Sequence, residues 1–293
     1  MVEGLKEIMI IIKIMGGLGN QMFQYALARR LQLMGRNVKI DTSYFDDIPD
    51  TDTPRLKWVT KFNYKFYEIS KFEKKYRMLI MNSVYTIIKQ KPYIFIERDY
   101  NYDSSIIKKK HAYLIGYWQT VKYFDVIGDI LKEDFKFNMN ELTKEEKSLY
   151  EELKNIPNSV SVHVRMGDYR NRDNFSIFGN ICNSDYYIKA CEMCQEKLND
   201  CTFFVFTDSP SDFEKNIRLN VKYKLIFTKE KNDWFELFLM SSCKNNIIAN
   251  STFSWWAAWL NSNPDKLVIS PDRWTNENDR KDILCESWIK ILC

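Results

Sequence analysis

Histidine, glycine, proline and long apolar runs are all scarce in this 293-residue chain, and each scarcity removes a class of function. Two histidines, His111 and His163, argue against a histidine-based zinc centre. Nine glycines and seven prolines, without any period, exclude a collagen-like or low-complexity chain. The apolar run Ile8 to Ile12 is cut by Lys13, far short of the ~20 residues that a spanning helix needs. No small-residue cleavage site follows it, so it does not read as a signal peptide either. Excess charge is also lacking: 43 Lys and Arg against 39 Asp and Glu leave +4, which by itself implies no nucleic-acid partner. Seven cysteines, an odd number without an export signal, predict reduced thiols and a cytoplasmic location.

What is present is apolar and aromatic. Hydrophobic residues make up 45% and aromatics 15%, enough for a full core, and the length fits two domains of about 150 residues or one large α/β domain. The aromatics and bases are unevenly spread. Residues 55 to 91 carry ten Lys or Arg against only Glu68 and Glu73, interleaved with Trp58, Phe62, Tyr64, Phe66, Tyr67, Phe72, Tyr76 and Tyr85. This pattern predicts a helical hairpin with a solvated basic face and an aromatic core face. Peripheral contact with an anionic membrane surface is the second reading. Cys182, Cys191, Cys194 and Cys201 lie close together, but Cys191 and Cys194 share one face of a helical pattern and are better explained as small buried hydrophobes than as zinc ligands.

Strand and helix patterns alternate, which predicts α/β architecture with parallel sheets. The first unit reads as a strand through Ile10 to Met15, a glycine loop Gly16 to Gly19, a helix from about Gln21 to Met34 stopped by Gly35, and a strand Val38 to Ile40 ending in Asp41. Thr143 and Glu146 are spaced as a capping box for a charged helix running to Lys154. The turn Asn155 to Asn158 after it is the expected domain boundary. Then come strands Val160 to Val164, Phe203 to Phe206, Leu225 to Phe227, Ile247 to Ala249 and Leu267 to Ser270, with helices Asp185 to Leu198, Trp234 to Cys243 and Phe253 to Leu260 between them.

Ligands of such sheets bind beyond the carboxyl ends of the strands, and three successive ends here are polar. The first runs His163, Val164, Arg165, Met166, Gly167, Asp168, Tyr169. Its guanidinium offers a planar fork of donors suited to a diphosphate, or it pairs with Asp168 to close the loop. The second ends in Thr207, Asp208 and Ser209, where the acid can accept from a guanine or a ribose, or help cap a helix. The third, Asn250 to Phe253, gathers hydroxyls and amides at a helix start, a ready anion site. The glycine loop followed by Asp41 resembles the start of a dinucleotide fold, which keeps a nicotinamide or flavin oxidoreductase open as an alternative. Met22, however, stands where the third glycine belongs. Asn20 and Gln21 offer neutral donors and acceptors there.

Together, GGLGNQMFQY (Gly16 to Tyr25), GYWQ (Gly116 to Gln119) with Tyr123 and Phe124, HVRMGDY (His163 to Tyr169), Phe206 to Asp208, NNIIANSTFSWWAAWL (Asn245 to Leu260) and Pro271 to Trp274 resemble the bacterial alpha-1,2-fucosyltransferases of glycosyltransferase family 11. The resemblance implies a GT-B-type α/β fold, two Rossmann-like domains facing a cleft, with residues 1–157 on the acceptor side and 158–293 binding the donor. It implies inverting, metal-independent transfer of L-fucose from GDP-fucose to the 2-hydroxyl of a terminal galactose in a glycan. The donor-binding set it implies is Gly17, Gly19, Asn20, His163, Arg165, Asp208, Ser251, Thr252 and Phe253. Within that set Arg165 contacts the diphosphate, His163 and Asp208 the guanosine, Ser251 and Thr252 the phosphate oxygens, and Asn20 faces fucose and acceptor.

Without a metal, charge building on the β-phosphate must be met by Arg165 and by amides at a helix start. The sugar develops oxocarbenium character while an acceptor hydroxyl attacks the opposite face. Asp168, beside Arg165 in sequence, is the expected base. Two positions depart from the family: Met166 replaces the second of two adjacent arginines, and Ser209 stands where many relatives carry an acid. Met166 predicts weaker donor binding or a differently shaped pocket, and makes a non-catalytic guanosine-sugar binder a further alternative. Asp50, Thr51, Asp52 mimics the metal-binding pair of many sugar-nucleotide transferases but sits between prolines in an expected turn.

Overall fold

A computed structural model describes residues 8–49, 53–87, 93–167, 169, 172–226, 232–277 and 280–293. The chain divides into two compact units, Met1–Lys136 and Phe137–Cys293. Each is a Rossmann-like α/β unit built on a parallel sheet. None of the described helices is long and apolar enough to cross a membrane.

The first unit runs β1 (Ile10–Lys13), α1 (Leu18–Leu33), β2 (Val38–Asp41), α2 (Lys71–Ile87), β3 (Ile94–Ile96), α3 (Ser104–Lys108), β4 (Ala112–Ile115) and α4 (Gly128–Asp134). Its strand order is β2-β1-β4-β3, all parallel. The apolar run at Ile8 to Ile12 is thereby explained: its last three isoleucines are fully buried in a central strand that needs apolar residues on both faces. Helix α1 starts at Leu18, earlier than its apolar pattern suggests, and Gly35 ends it in the left-handed region at φ +76°.

Residues 55 to 91 do not form the expected hairpin. A short turn at Trp58–Thr60 leads to an extended stretch that follows β2, with Ile40 N–H donating to the Tyr67 carbonyl (3.0 Å) and Ile69 N–H to the Ile40 carbonyl (2.9 Å). Only then does the single helix α2 begin. The edge of β2 offers backbone partners that a solvated helix lacks, and the aromatics divide accordingly. Phe62 and Phe66 pack edge-on against Tyr25 at 4.9 and 5.3 Å, whereas Tyr67 and Phe72 stay exposed.

The second unit runs α5 (Lys144–Asn155), β5 (Ser159–Val164), α6 (Arg172–Phe178), α7 (Ser184–Lys197), β6 (Thr202–Thr207), α8 (Pro210–Asn216), β7 (Tyr223–Leu225), α9 (Asp233–Ser242), β8 (Asn245–Ile247), α10 (Thr252–Leu260), β9 (Val268–Pro271) and β10 (Ile289–Ile291). All strands are parallel in the order β10-β9-β8-β5-β6-β7. The chain moves outward from β5 through β6 to β7, then returns to β8 on the other flank, which makes the β5–β8 boundary the topological switch point. Val160, Val162 and Val164 point into a core with Tyr186, Tyr187, Cys191 and Cys194. Burial pushes the Cys191 thiol up to about 12, so it is a protonated core side chain as expected. Strand β7 starts before the expected Leu225, and Phe227 lies outside the described residues.

The units divide between Lys136 and Phe137, ahead of the turn at residues 155–158. Stacking explains the difference. Phe137 lies on Phe238 at 4.5 Å, Tyr150 of α5 lies on the same ring at 5.0 Å, and α5 is therefore part of the second unit. Its capping box is formed as expected, with Glu146 N–H donating to Thr143 Oγ1 at 3.2 Å and Thr143 N–H to Glu146 Oε2 at 2.9 Å.

Buried amides fasten this sheet to its helices. Asn246 Nδ2 donates to Ser161 Oγ (2.7 Å) and to the Met240 carbonyl (2.9 Å), and Asn246 Oδ1 accepts from Asn261 Nδ2 at 2.7 Å. One side chain thus joins β5, α9 and the end of α10. Asn246→Leu strands the groups it leaves behind, so urea unfolding should show a loss of about 2–4 kcal/mol. A loss below 1 kcal/mol would deny the network that role.

Candidate active site

Three polar strand ends meet at the carboxyl edge of the second sheet. Arg165 leaves β5, Asp208 leaves β6, and Asn250 to Thr252 leave β8 to enter α10. Arg165 Nη1 lies 2.8 Å from Asp208 Oδ2, both side chains mostly buried. Asp208 Oδ1 accepts from the amides of Met166 (2.9 Å) and Gly167 (3.1 Å). A Cβ on residue 167 would sit 2.5 Å from the same carboxylate, so the close approach requires glycine. Burial works to raise the Asp208 carboxyl, but Arg165 and the two amides outweigh it and hold it below the usual carboxylate range.

Asp208, expected at the guanosine, is therefore the anchor of Arg165 and its turn in this structure. The expected alternative partner of Arg165, Asp168, lies outside the described residues, as does the Asp50–Thr51–Asp52 segment. Met166 packs its side chain against the apolar core of the unit, which accounts locally for a methionine there. Ser209 Oγ donates to Asp212 Oδ2 at 2.7 Å within the start of α8.

His163 is buried beneath this edge, its ring centroid 5.5 Å from that of Phe253, and its Nδ1 has no hydrogen-bond partner among the described residues. Burial lowers its pKa well below the ordinary imidazole value, with Arg165 adding to the effect and Asp208 opposing it. The ring is neutral. Beside it, Ser251 caps α10 through its backbone alone, and Trp255 N–H closes the first helical bond to the Ser251 carbonyl at 3.0 Å. The amides of Thr252, Phe253 and Ser254 precede that first bond at the positive end of the helix.

Two residues of the motifs carry the architecture without having drawn a role from the sequence. Tyr169 donates from its hydroxyl to the Asn250 carbonyl at 2.8 Å, stacks on Phe178 at 5.0 Å, and lies 5.7 Å from the Arg165 guanidinium. Asn250 Nδ2 donates to the carbonyls of Phe178 (3.1 Å) and Trp274 (3.2 Å). They tie the end of β5 to the approach of α10. A cavity of about 370 Å³ opens beside them, lined by Arg165, Met166, Tyr169, Phe178, Asn183 and Asn250. An aromatic ending an Arg-Xaa-Gly turn, and an amide just before a helix cap, were the signals available.

Gly17, Gly19 and Asn20 belong to the glycine loop of the first unit. Gly16 adopts φ +77°, and a Cβ there would meet Asn20 Nδ2 at 2.8 Å. Gln21, read from sequence as a ligand-facing group, is fully buried and spent on backbone: its Nε2 donates to the carbonyls of Gly16 and Leu56 at 2.8 Å, and its Oε1 accepts from Trp58 N–H at 2.7 Å. Gln24 likewise bridges Met15 N–H (2.9 Å) and the Gly116 carbonyl (3.0 Å). Asn20 is left at the loop, held by Gln119 Nε2 at 2.9 Å. Asp41, the acid that a dinucleotide fold would turn to a ribose, is buried, ion-paired to Lys74 at 2.7 Å and bonded by the Tyr113 hydroxyl. That commitment removes the main support for the nicotinamide reading.

The neutral His163 has a consequence for stability. Its folded pKa is depressed, so below about pH 6.5 the unfolded chain takes up a proton that the folded one refuses, and stability falls as pH falls. Between pH 7 and 5 this amounts to about 2 kcal/mol. His163→Gln should flatten that acid-side slope in denaturant titrations; an unchanged slope would show that His163 is not its source.

A sequence profile described as Glycosyl transferase family 11 matches residues 2–292. The O-antigen biosynthesis glycosyltransferase WbnK of Escherichia coli is 33% identical over 300 residues, covering 94% of this chain and 98% of that protein. An alpha-1,2-colitosyltransferase of Escherichia coli is 31% identical over 299 residues, covering 96% and 98%. Among solved structures, the fucosyltransferase NodZ from Bradyrhizobium aligns over 86% of this chain and 93% of its own at 15% identity, with a TM-score of 0.46. With a profile spanning nearly the whole chain and relatives above 30% identity over nearly their full length, this protein is a glycosyltransferase and belongs to glycosyltransferase family 11.

Proposed function

We propose that this glycosyltransferase transfers L-fucose from GDP-fucose to the 2-hydroxyl of a terminal galactose in a glycan, with inversion and without a metal. The observation that carries this reading is the Arg165–Asp208 pair set beside the positive end of α10 at the switch point of the second sheet. A leaving nucleoside diphosphate gains negative charge as its bond to the sugar breaks, and a fixed guanidinium with aligned amides offsets it where it develops. His163 is neutral and adds no positive charge, so it serves as a hydrogen-bonding group for the guanosine. Ser251, Thr252 and Phe253 stand at the helix end assigned to the phosphates.

Charge on the sugar takes oxocarbenium form, and the acceptor hydroxyl adds from the opposite face. Asp168 is assigned as the base that receives its proton, and Gly17, Gly19 and Asn20 are assigned to the sugar by the family resemblance. The alpha-1,2 linkage is supported by the second relative, an alpha-1,2-colitosyltransferase, and its name makes colitose the competing donor sugar.

The test is turnover with GDP-fucose, GDP-colitose and GDP-mannose on galactose-terminated acceptors, with product linkage read by NMR. Arg165→Ala should lower turnover by about 10²–10³-fold with circular dichroism unchanged, and a chelator should leave the wild-type rate intact. Full turnover in Arg165→Ala would remove the role given to that residue, and loss of activity in chelator would remove the metal-free mechanism. Faster transfer from GDP-colitose would reassign the donor.

A further inference from the structure

The first two turns of helix α2, residues 71–79, are amphipathic the wrong way round. Their inward side chains are charged: Lys74 reaches buried Asp41 at 2.7 Å, fully buried Arg77 donates to Glu73 at 3.0 Å, and Glu73 also takes Lys39 at 2.8 Å. At 3.6 residues per turn, Lys71, Phe72, Lys75 and Leu79 fall within an arc of about 100°, and all four face solvent. Phe72 is 75% and Leu79 62% exposed, and Tyr67, just ahead of the helix, is 83% exposed. A surface helix ordinarily buries its apolar stripe and shows its charges. Here internal ion pairs hold the helix in place, and the large apolar side chains are left uncovered.

Most of the charge that residues 53–79 bring to this stripe has one sign. Between residues 53 and 79, Arg55, Lys57, Lys61, Lys65, Lys71, Lys74, Lys75 and Arg77 stand against Glu68 and Glu73 alone. Both acids are committed: Glu68 pairs with Lys57 at 2.8 Å, and Glu73 with Lys39 and Arg77. Lys71 meets Asp46 at 3.1 Å, but both ends of that pair are exposed and screened by water. Lys75 has no ion pair among the described residues. The outward face therefore alternates ammonium groups with a phenyl and an isobutyl group along the helix.

We propose that this face of α2, formed by Lys71, Phe72, Lys75 and Leu79 with Tyr67 beside it, docks the protein on an anionic lipid bilayer. A bilayer supplies what the stripe asks for in the right order: phosphates at the depth of the lysine ammonium groups and acyl carbon below them for the Phe72 and Leu79 side chains. Lysine stems lie along the apolar layer while their heads stay at the headgroups. A row of side chains exposed along one helix face needs no shaped pocket in its partner, which favours a lipid surface over an acidic protein. The inference is independent of the donor or linkage proposed above.

The test is sedimentation of the full-length protein with vesicles of phosphatidylcholine alone and of phosphatidylcholine mixed with phosphatidylglycerol, at low and high salt. Wild type should sediment with the anionic vesicles at low salt and remain in solution with the neutral ones. Lys71→Glu with Lys75→Glu should weaken partitioning at least about tenfold, and Phe72→Ser with Leu79→Ser should weaken it comparably, with thermal unfolding and its shift by GDP unchanged in both. No sedimentation with anionic vesicles, equal sedimentation with neutral ones, or variants that bind as wild type would each overturn the proposal. A concentration-dependent dimer that only the Phe72→Ser/Leu79→Ser variant abolishes, without lipid binding, would assign the face to a second copy of the chain instead.

Discussion

Everything at the edge of the second sheet depends on where Asp208 sits. Its carboxylate reaches from the end of β6 to the end of β5 and takes a guanidinium on one oxygen and two backbone amides on the other. Burying a carboxylate is costly, and removing any one of these partners would leave charge without compensation. The arrangement therefore has one stable form. It fixes the Arg165 side chain and the Met166–Gly167 backbone, and the absence of a Cβ at Gly167 lets the carboxylate lie against that backbone. A flexible surface arginine would have to be ordered by its ligand; this one is ordered in advance, which is the condition for stabilising charge as it develops.

The same economy recurs in the polar residues of both glycine- and asparagine-rich motifs. Gln21 and Gln24 are spent on the carbonyls and amides of the turn after β1, and Asn246, Asn250 and Asn261 on those around β8 and α10. Loops at strand ends expose backbone groups that no ladder can satisfy. A buried amide side chain carries both a donor and an acceptor and can satisfy two at once, where a charged one would need a counter-ion. Among the described motif side chains, Asn20 in one loop and Arg165 in the other are less deeply buried than these amides.

The fold was legible where periodicity and end signals coincide. The β5 alternation, the capping box at Thr143 and Glu146, and the Cys191/Cys194 face all describe local geometry that tertiary packing then confirms. The short strands β3, β4 and β10 gave no such signal, because three or four residues are too few for a period and their pairing is set by distant partners. In residues 55 to 91 the composition was read correctly as basic and aromatic but assigned to two helices, because the edge of β2, which captures residues 67–69, is invisible locally. The site shows the same divide. Arg165, His163 and Ser251 could be singled out because they stand at strand ends, whereas the pairing of Arg165 with Asp208 spans residues 165 to 208 and depends on β5 and β6 being neighbours.

That pairing also shapes the field that a ligand meets. Arg165 and Asp208 together carry no net charge, and neutral His163 and apolar Met166 add none. What remains is a dipole, the guanidinium against the carboxylate, reinforced by the roughly half charge at the positive end of α10. The field of a dipole falls faster with distance than that of a lone cation, so it acts on groups in contact and little on anions at large. A second arginine in place of Met166 would restore long-range attraction for any polyanion. With methionine there, the directional donors of Arg165 number five, more than one carboxylate can take. For the donor proposed above, such a pair would gain less from ground-state attraction and relatively more from the moment when charge moves onto the oxygen it touches, which is the distinction between binding a donor and breaking it.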